Sequence, residues 1–186
     1  MIELISIISR VTWAIYIFAI CSGIFILMGV VKGLGQLADQ NPNQMAMDDI
    51  TPEHLIVSAV FGVSLIGMNT LAMWTLVSLG AESSYVVDPH SQLGYMSEIP
   101  PSDPEVRMGI LIATLSRCLG AWALCAGLRQ GKNWSHRQEQ IRATARLRAV
   151  WGVLIGVFFL FPAYFADLVK EDWAIAAYFA DLLRSH

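Results

Sequence analysis

Charge is scarce in this sequence. Only 15% of its 186 residues are Asp, Glu, Lys or Arg, while 55% are hydrophobic, and the mean hydropathy is +0.54. A soluble domain carries about 25% charged residues, so this chain lacks the polar surface to cover a single core of its size, which argues against a soluble helical domain. Cysteine is also sparse: Cys21, Cys118 and Cys125 all fall inside apolar runs, without the close spacing of a metal set or a disulfide framework. They read as small, buried, reduced packing residues, with Cys118 and Cys125 seven apart on one helix face. His54, His90, His136 and His186 lie in separate loops or ends, so no pair is placed to hold a haem, and no metal or other cofactor is expected. With no convergent titratable groups and no Gly-rich phosphate cradle, the reading is that the chain is not an enzyme.

Long apolar runs are what the sequence has instead. Four of them, about 11–31, 55–81, 108–128 and 149–166, are uncharged or nearly so. A hydrocarbon core of about 30 Å takes about 20 helical residues to cross; the first two runs exceed that, and the last, AVWGVLIGVFFLFPAYFA, is close to it. Unpaired backbone groups in lipid cost several kcal/mol each, so uninterrupted apolar runs of this length read as helices. The expected fold is therefore all-α: a polytopic membrane domain of four transmembrane helices over 1–166 and a C-terminal amphipathic helix over 167–186. In that tail Trp173, Ala176, Ala177, Ala180 and Leu183 recur near helical spacing, suited to the membrane interface or a partner. The first run is longer than the apolar region of a signal peptide, is preceded by acidic Glu3, and has no Ala-x-Ala site after it, so it reads as a retained anchor.

Loop charges give the orientation. The segment RQGKNWSHRQEQIRATARLR (129–148) holds Arg129, Lys132, Arg137, Arg142, Arg146 and Arg148 against the single acid Glu139. The positive-inside rule places it in the cytoplasm. With four spans, both termini then lie in the periplasm of a bacterial inner membrane, and the basic residues divide as seven inside (these six and Lys32) and four outside (Arg10, Arg107, Lys170 and Arg184). The outer loop over 82–107 is acidic and carries four prolines, which favours an extended or turn-rich course. In the first loop, Thr51-Pro52-Glu53 reads as a helix start with a Thr cap and Pro at the first helical position.

Within the spans, Arg117 is the sharpest oddity, because a charge near the bilayer centre costs about 2.5–3.5 kcal/mol and such residues face protein or water. No acidic residue lies in any of the four runs, so its reading divides between an intersubunit contact, a pore lining, and a side chain snorkelling from a shifted helix. Small residues four apart, Gly29/Gly33, Ser116/Gly120, Ala123/Gly127 and Gly152/Gly156, open grooves for close helix approach, within or between chains. Pro162 removes the amide that would bond Phe158, and so should kink or end the last helix. AVFGVSLIG (59–67) also echoes AVWGVLIG (149–156), which suggests two related helix hairpins; chance matching between apolar segments stays open as the alternative.

The segments LSRCLGAWALCAGLRQGKNW (115–134) and GVLIGVFFLFPAY (152–164) resemble the TraQ and IcmC (DotE)-like small inner-membrane proteins of IncI-type conjugation and type IVB (Dot/Icm) secretion systems. The resemblance covers about the C-terminal third, and rests on Gly120, Gly127, Gly131, Gly152, Gly156 and Pro162 in a helix, basic loop and helix pattern. It implies a non-enzymatic subunit of a conjugation or secretion channel, partnered by other membrane subunits or further copies of itself. The basic loop is expected to meet anionic lipids or a cytoplasmic protein; no small-molecule substrate and no direct nucleic-acid contact is expected. The competing classes are a small homo-oligomeric channel, transporter or holin-like pore lined by Arg117, and an accessory subunit of a respiratory or transport complex. The orientation is checked by labelling: Lys132→Cys in a cysteine-free background should react with a membrane-impermeant maleimide only after permeabilisation, and reaction in intact cells would reverse it.

Overall fold

Thr51 starts a helix by the chemistry its neighbours suggest. Its backbone is extended (φ −110°, ψ 148°), its side chain accepts a hydrogen bond from the His54 amide at 3.2 Å, and Pro52 occupies the first turn, where a missing N–H costs nothing. The computed structural model describes residues 2–38, 51–81, 104–136, 138–170 and 173. Among them are six helices and no strand: α1 (Ile2–Ala38), α2 (Pro52–Ile66), α3 (Met68–Ser78), α4 (Pro104–Gly131), α5 (Glu139–Leu160) and α6 (Pro162–Val169).

Each expected span lies in helix, with different bounds. The run 11–31 sits inside the 37-residue α1, about 55 Å long at 1.5 Å per residue, because no proline interrupts the polar flanks on either side. The run 108–128 sits inside α4, and that at 149–166 begins about ten residues into helix, since the polar segment from Glu139 joins α5 without a break. Hydroxyls inside these helices bond back to the turn before them. Thr12 donates to the Ile8 carbonyl at 2.9 Å, Thr75 to Leu71 at 2.8 Å and Thr114 to Ile110 at 2.7 Å, which leaves no hydroxyl proton of theirs facing lipid.

Two runs are broken. The 55–81 run, expected as one span, stops at Gly67, and α2 and α3 are bent by 92° there. Gly67 keeps a hydrogen bond from its amide to Val63 O at 2.9 Å, so the turn is closed before the chain redirects. At 15 and 11 residues, or about 22 and 16 Å, neither helix alone crosses a core of about 30 Å. The second break is the one Pro162 imposes. α5 ends at Leu160, Phe161 sits outside the helical region (φ −122°, ψ 59°), and α6 resumes at Pro162, because a residue before proline is driven from α geometry and the proline amide is missing. α3 closes on Gly80 with φ 85°. The bonds Gly80 N to Val77 O at 2.9 Å and Ala81 N to Leu76 O at 3.3 Å form a Schellman cap, which favours glycine at that left-handed position.

The chain packs as two compact units. The first takes residues 1–15, 69–122 and 155–186. Ala72 and Leu76 of α3, Ala121 of α4 and Leu160 of α5 are among its buried side chains, and the Tyr164 hydroxyl of α6 donates to the Leu79 carbonyl at 3.0 Å. The second takes 16–68 and 123–154, with Tyr16, Ala19, Leu65, Leu124, Leu128 and Ala149 buried. Of the tail expected over 167–186, Asp167–Val169 complete α6 and Lys170 Nζ meets Asp167 at 2.7 Å; Trp173 is exposed and donates its amide to Val169 O at 3.1 Å, and the rest lies outside the described residues. So do 82–103 of the outer loop and 39–50 of the first.

Three helices are long and apolar enough to cross a membrane, and the bent α2–α3 pair makes a fourth if it counts as one span. Only 22–39% of the apolar windows of those three is buried, and Phe25 and Trp74 are each 72% exposed. Apolar surface on that scale needs lipid rather than water, so the chain is a multi-pass membrane protein. Whether α2 and α3 complete a crossing is checked at Glu53→Cys and Ala81→Cys, which flank the bent pair: a crossing puts them on opposite faces, so that only Ala81→Cys labels in intact cells, whereas the same behaviour at both positions makes the pair re-entrant.

Candidate functional site

Glycines set the closest helix approaches in both units. In the first unit, a methyl group on Gly120 of α4 would stand 2.6 Å from the Leu160 amide nitrogen and 2.8 Å from the Gly156 carbonyl oxygen of α5. Beside it the Ser116 hydroxyl donates to the Phe159 carbonyl at 2.9 Å, the carbonyl whose helical partner would have been the amide of residue 163. In the second unit, a methyl on Gly127 would meet Gly152 Cα at 2.7 Å, and one on Gly152 would meet Gly127 Cα and the Ala123 carbonyl. Backbone meets backbone at these points, so a side chain there has no flexible neighbour to push aside. Ser116, Gly120, Ala123 and Gly127 recur on one face of α4, as the small-residue spacing implied.

α1 and α2 cross in the same manner in the second unit. A Cβ on Gly23 would lie 2.6 Å from the Gly62 carbonyl oxygen, and Leu27 covers Gly62. Gly62 and Gly152 hold the same place in the two echoing segments, AVFG and AVWG, and each is the crossing glycine of its hairpin. Gly23 had no motif of its own to mark it; the echo at Gly62 was the available signal. Gly131, at the end of α4, faces the Phe61 ring so closely that any Cβ would enter it.

The turn after α4 is tied down by its own residues. Asn133 N bonds Gln130 O at 3.0 Å and Trp134 N bonds Gly131 O at 2.9 Å. Trp134 stacks at a tilt on Phe61, ring centroids 6.1 Å apart. Arg146 of α5 returns to it, with Nε donating to the Trp134 carbonyl at 3.2 Å and its guanidinium 5.5 Å from the ring centroid. Ser135 Oγ lies 3.4 Å from His54 Nδ1, and Ser58 Oγ donates to the Lys132 carbonyl at 3.4 Å.

Against this turn, α1 and α2 leave a cavity of about 550 Å³. Its cations are Lys32, Arg129 and Lys132; its other polar side chains are Ser22, Gln36, His54 and Ser58. Phe18, Phe25 and Ile26 supply an apolar wall, and no acidic side chain lines it among the described residues. The Arg129 guanidinium sits 5.4 Å from the Phe18 ring centroid. Of the basic loop, Arg129 and Lys132 thus reach one site with Lys32. Arg146 holds the turn, Arg142 and Arg148 lie along α5 away from the cavity lining, and Arg137 lies outside the described residues. Sequence spacing gave no warning of His54, Ser58 or Gln36, which arrive from elements more than 70 residues from the loop.

Arg117 is half-buried and already engaged within the chain. Cys125 is buried and Cys118 half-buried as expected of packing residues, but Cys21, expected to be buried as well, is exposed on a face of α1 that no described residue covers. No group of three or more His, Cys, Asp or Glu is placed to hold a metal among the described residues.

The fold and these crossings define a helical, multi-pass membrane protein. No protein-family model, no curated protein and no solved structure matches the chain. The crossings carry a direct test: Gly152→Ala should destabilise the detergent-purified protein by about 1–3 kcal/mol, read as a lower melting temperature. Gly35→Ala, where nothing lies within 4 Å of the added carbon, should leave it unchanged, and equal melting of the two variants would show that the backbone contact at Gly152 carries no weight.

Proposed function

We propose that this chain is a non-enzymatic integral subunit of a bacterial inner-membrane machine of the type IVB conjugation or secretion kind, and that its work is assembly. The observation that carries the reading is how its small residues are used. Gly120, Gly127, Gly152 and Gly156 close hairpin contacts inside the chain, which stiffens the helices into a framework. The surface left for neighbours is large-residue surface: Phe25, Trp122 and Trp151 are all more than half exposed. Lipid covers such faces, and so do the helices of other subunits, which offer aromatic rings closer packing than mobile acyl chains.

The resemblance of 115–134 and 152–164 to the TraQ and IcmC (DotE)-like proteins supports the particular class of machine, and the arginine-rich turn supports an orientation with 129–148 in the cytoplasm and both termini in the periplasm. A pore lined by Arg117 needs that guanidinium turned to a water path; its half-burial and existing engagement within the chain favour a structural role. The test is extraction from native membranes in a mild detergent, followed by the mass and composition of what copurifies. A large assembly containing a secretion or conjugation ATPase and envelope core proteins is expected. A small homo-oligomer of this chain alone would overturn the reading in favour of a pore.

A further inference from the structure

We infer that the cavity bounded by α1, α2 and the end of α4 is a binding site for the phosphate headgroup of an anionic phospholipid. Three observations converge on that ligand. Lys32, Arg129 and Lys132 share one cavity of about 550 Å³ whose lining among the described residues includes no acid, so the site gathers positive charge from three described side chains, and an anion relieves their repulsion. Hydroxyl, amide and imidazole groups from Ser22, Ser58, Gln36 and His54 stand beside the cations, as a phosphodiester and its glycerol need for hydrogen bonding. The remaining wall is apolar, with Phe18, Phe25 and Ile26. A soluble phosphate would use only the polar part of such a lining, whereas a lipid uses both.

Position agrees with chemistry. Lys32 lies about two turns before the end of α1, Arg129 in the last turn of α4 and Lys132 in the turn that follows, toward the helix ends that the arginines assign to the cytoplasm, which is the level of headgroups. Basic pockets between membrane helices at that level suit acidic lipids, each cation near the surface contributing about 1 kcal/mol. Of the four small-residue pairs in the sequence, Gly29/Gly33 alone borders the cavity. A carbon added at Gly33 would run into Leu55 of α2, whereas one added at Gly29 meets nothing within 4 Å, so Gly29 faces the open part of the lining. Arg129 is preset by its contact with Phe18, which reduces the ordering cost of binding. The site stands independently of the assembly reading, since a lipid can occupy it whatever machine the chain joins.

The experiment takes the full chain, purified in mild detergent and stripped of lipid, and titrates it with phosphatidylglycerol, phosphatidylcholine or inorganic phosphate. Melting temperature reports binding by linkage, and native mass spectrometry counts the lipid retained. Phosphatidylglycerol should raise the melting temperature and be retained at one site, with little response to phosphatidylcholine. Removing charge should weaken phosphatidylglycerol binding about fivefold per cation, and about 25-fold in the Lys32→Gln, Arg129→Gln double variant. Arg148→Gln, an exposed cation outside the lining, should change it less than about twofold. Gly29→Leu keeps every charge and adds an apolar side chain at the cavity lining, and should weaken lipid binding while melting normally without lipid. Equal responses to the two lipids, no loss in either the double variant or Gly29→Leu, or stabilisation by inorganic phosphate alone that matches the lipid would each overturn the inference; the last would make the ligand a soluble phosphate.

Discussion

Close backbone approach at glycine is the contact on which the rest of this structure depends. Lipid tails are as apolar as leucine, so burial of apolar surface does little to hold one membrane helix against another, and dispersion between well-fitted surfaces has to do it. Dispersion weakens steeply with even a small gap. Gly23 against Gly62, Gly120 against Gly156, and Gly127 against Gly152 remove the side chains that would hold the axes apart. With the α4–α5 hairpin drawn together, Arg146 can reach the Trp134 carbonyl. The α1–α2 contact likewise fixes the walls of the basic cavity. None of those polar contacts is strong enough to assemble the helices; each uses a spacing the glycines have set.

The two helix breaks are the places where the same environment imposes a cost. A helix that stops inside lipid leaves amides and carbonyls without partners, each worth several kcal/mol. Gly67 keeps its amide bonded to Val63 O and Phe161 keeps its own bonded to Val157 O at 3.2 Å. The Schellman cap at Gly80 satisfies carbonyls of the last turn of α3, and the Tyr164 hydroxyl takes that of Leu79. At the proline break the Phe159 carbonyl, left without the amide of residue 163 where the helix is interrupted, is bonded from another helix by the Ser116 hydroxyl. The small residue at position 116 is therefore both a spacer and a donor, a pairing that alanine there would halve.

What the sequence revealed follows the strength of its local signals. Thr51-Pro52 was legible because capping involves only neighbours in the chain, and Pro162 because a missing amide acts wherever it sits. The extent of α1 and the early start of α5 were not, since apolar runs mark what lies in lipid and a helix continues past that boundary whenever its polar flanks are good formers. Gly67 was obscure for a different reason: glycine is common within membrane helices, and nothing in VSLIGMN separates a tolerated glycine from one at which the chain turns by 92°. Among site residues, the small-residue pairs of α4 and α5 could be read from spacing, yet spacing leaves open whether a groove is filled from the same chain. Gly29/Gly33 has the same pattern and a divided use: a carbon on Gly33 would run into Leu55 of α2, while one on Gly29 would meet nothing within 4 Å, at the edge of the cavity.

The basic turn shows how one set of residues answers to two separate demands. Orientation during insertion depends on how many Lys and Arg lie near the ends of the spans, and asks nothing of where their side chains point. Arg129 over Phe18 and Arg146 over Trp134 are placed to within a few ångströms, a precision that the topology rule leaves unexplained. Lysine in place of Arg146 would satisfy the charge count and lose the planar guanidinium that bonds the Trp134 carbonyl while lying over its ring. The arginines at these two positions therefore belong to the folded turn as well as to its orientation. The exposed Arg148 outside the cavity lining is the kind of residue for which charge alone is a sufficient account.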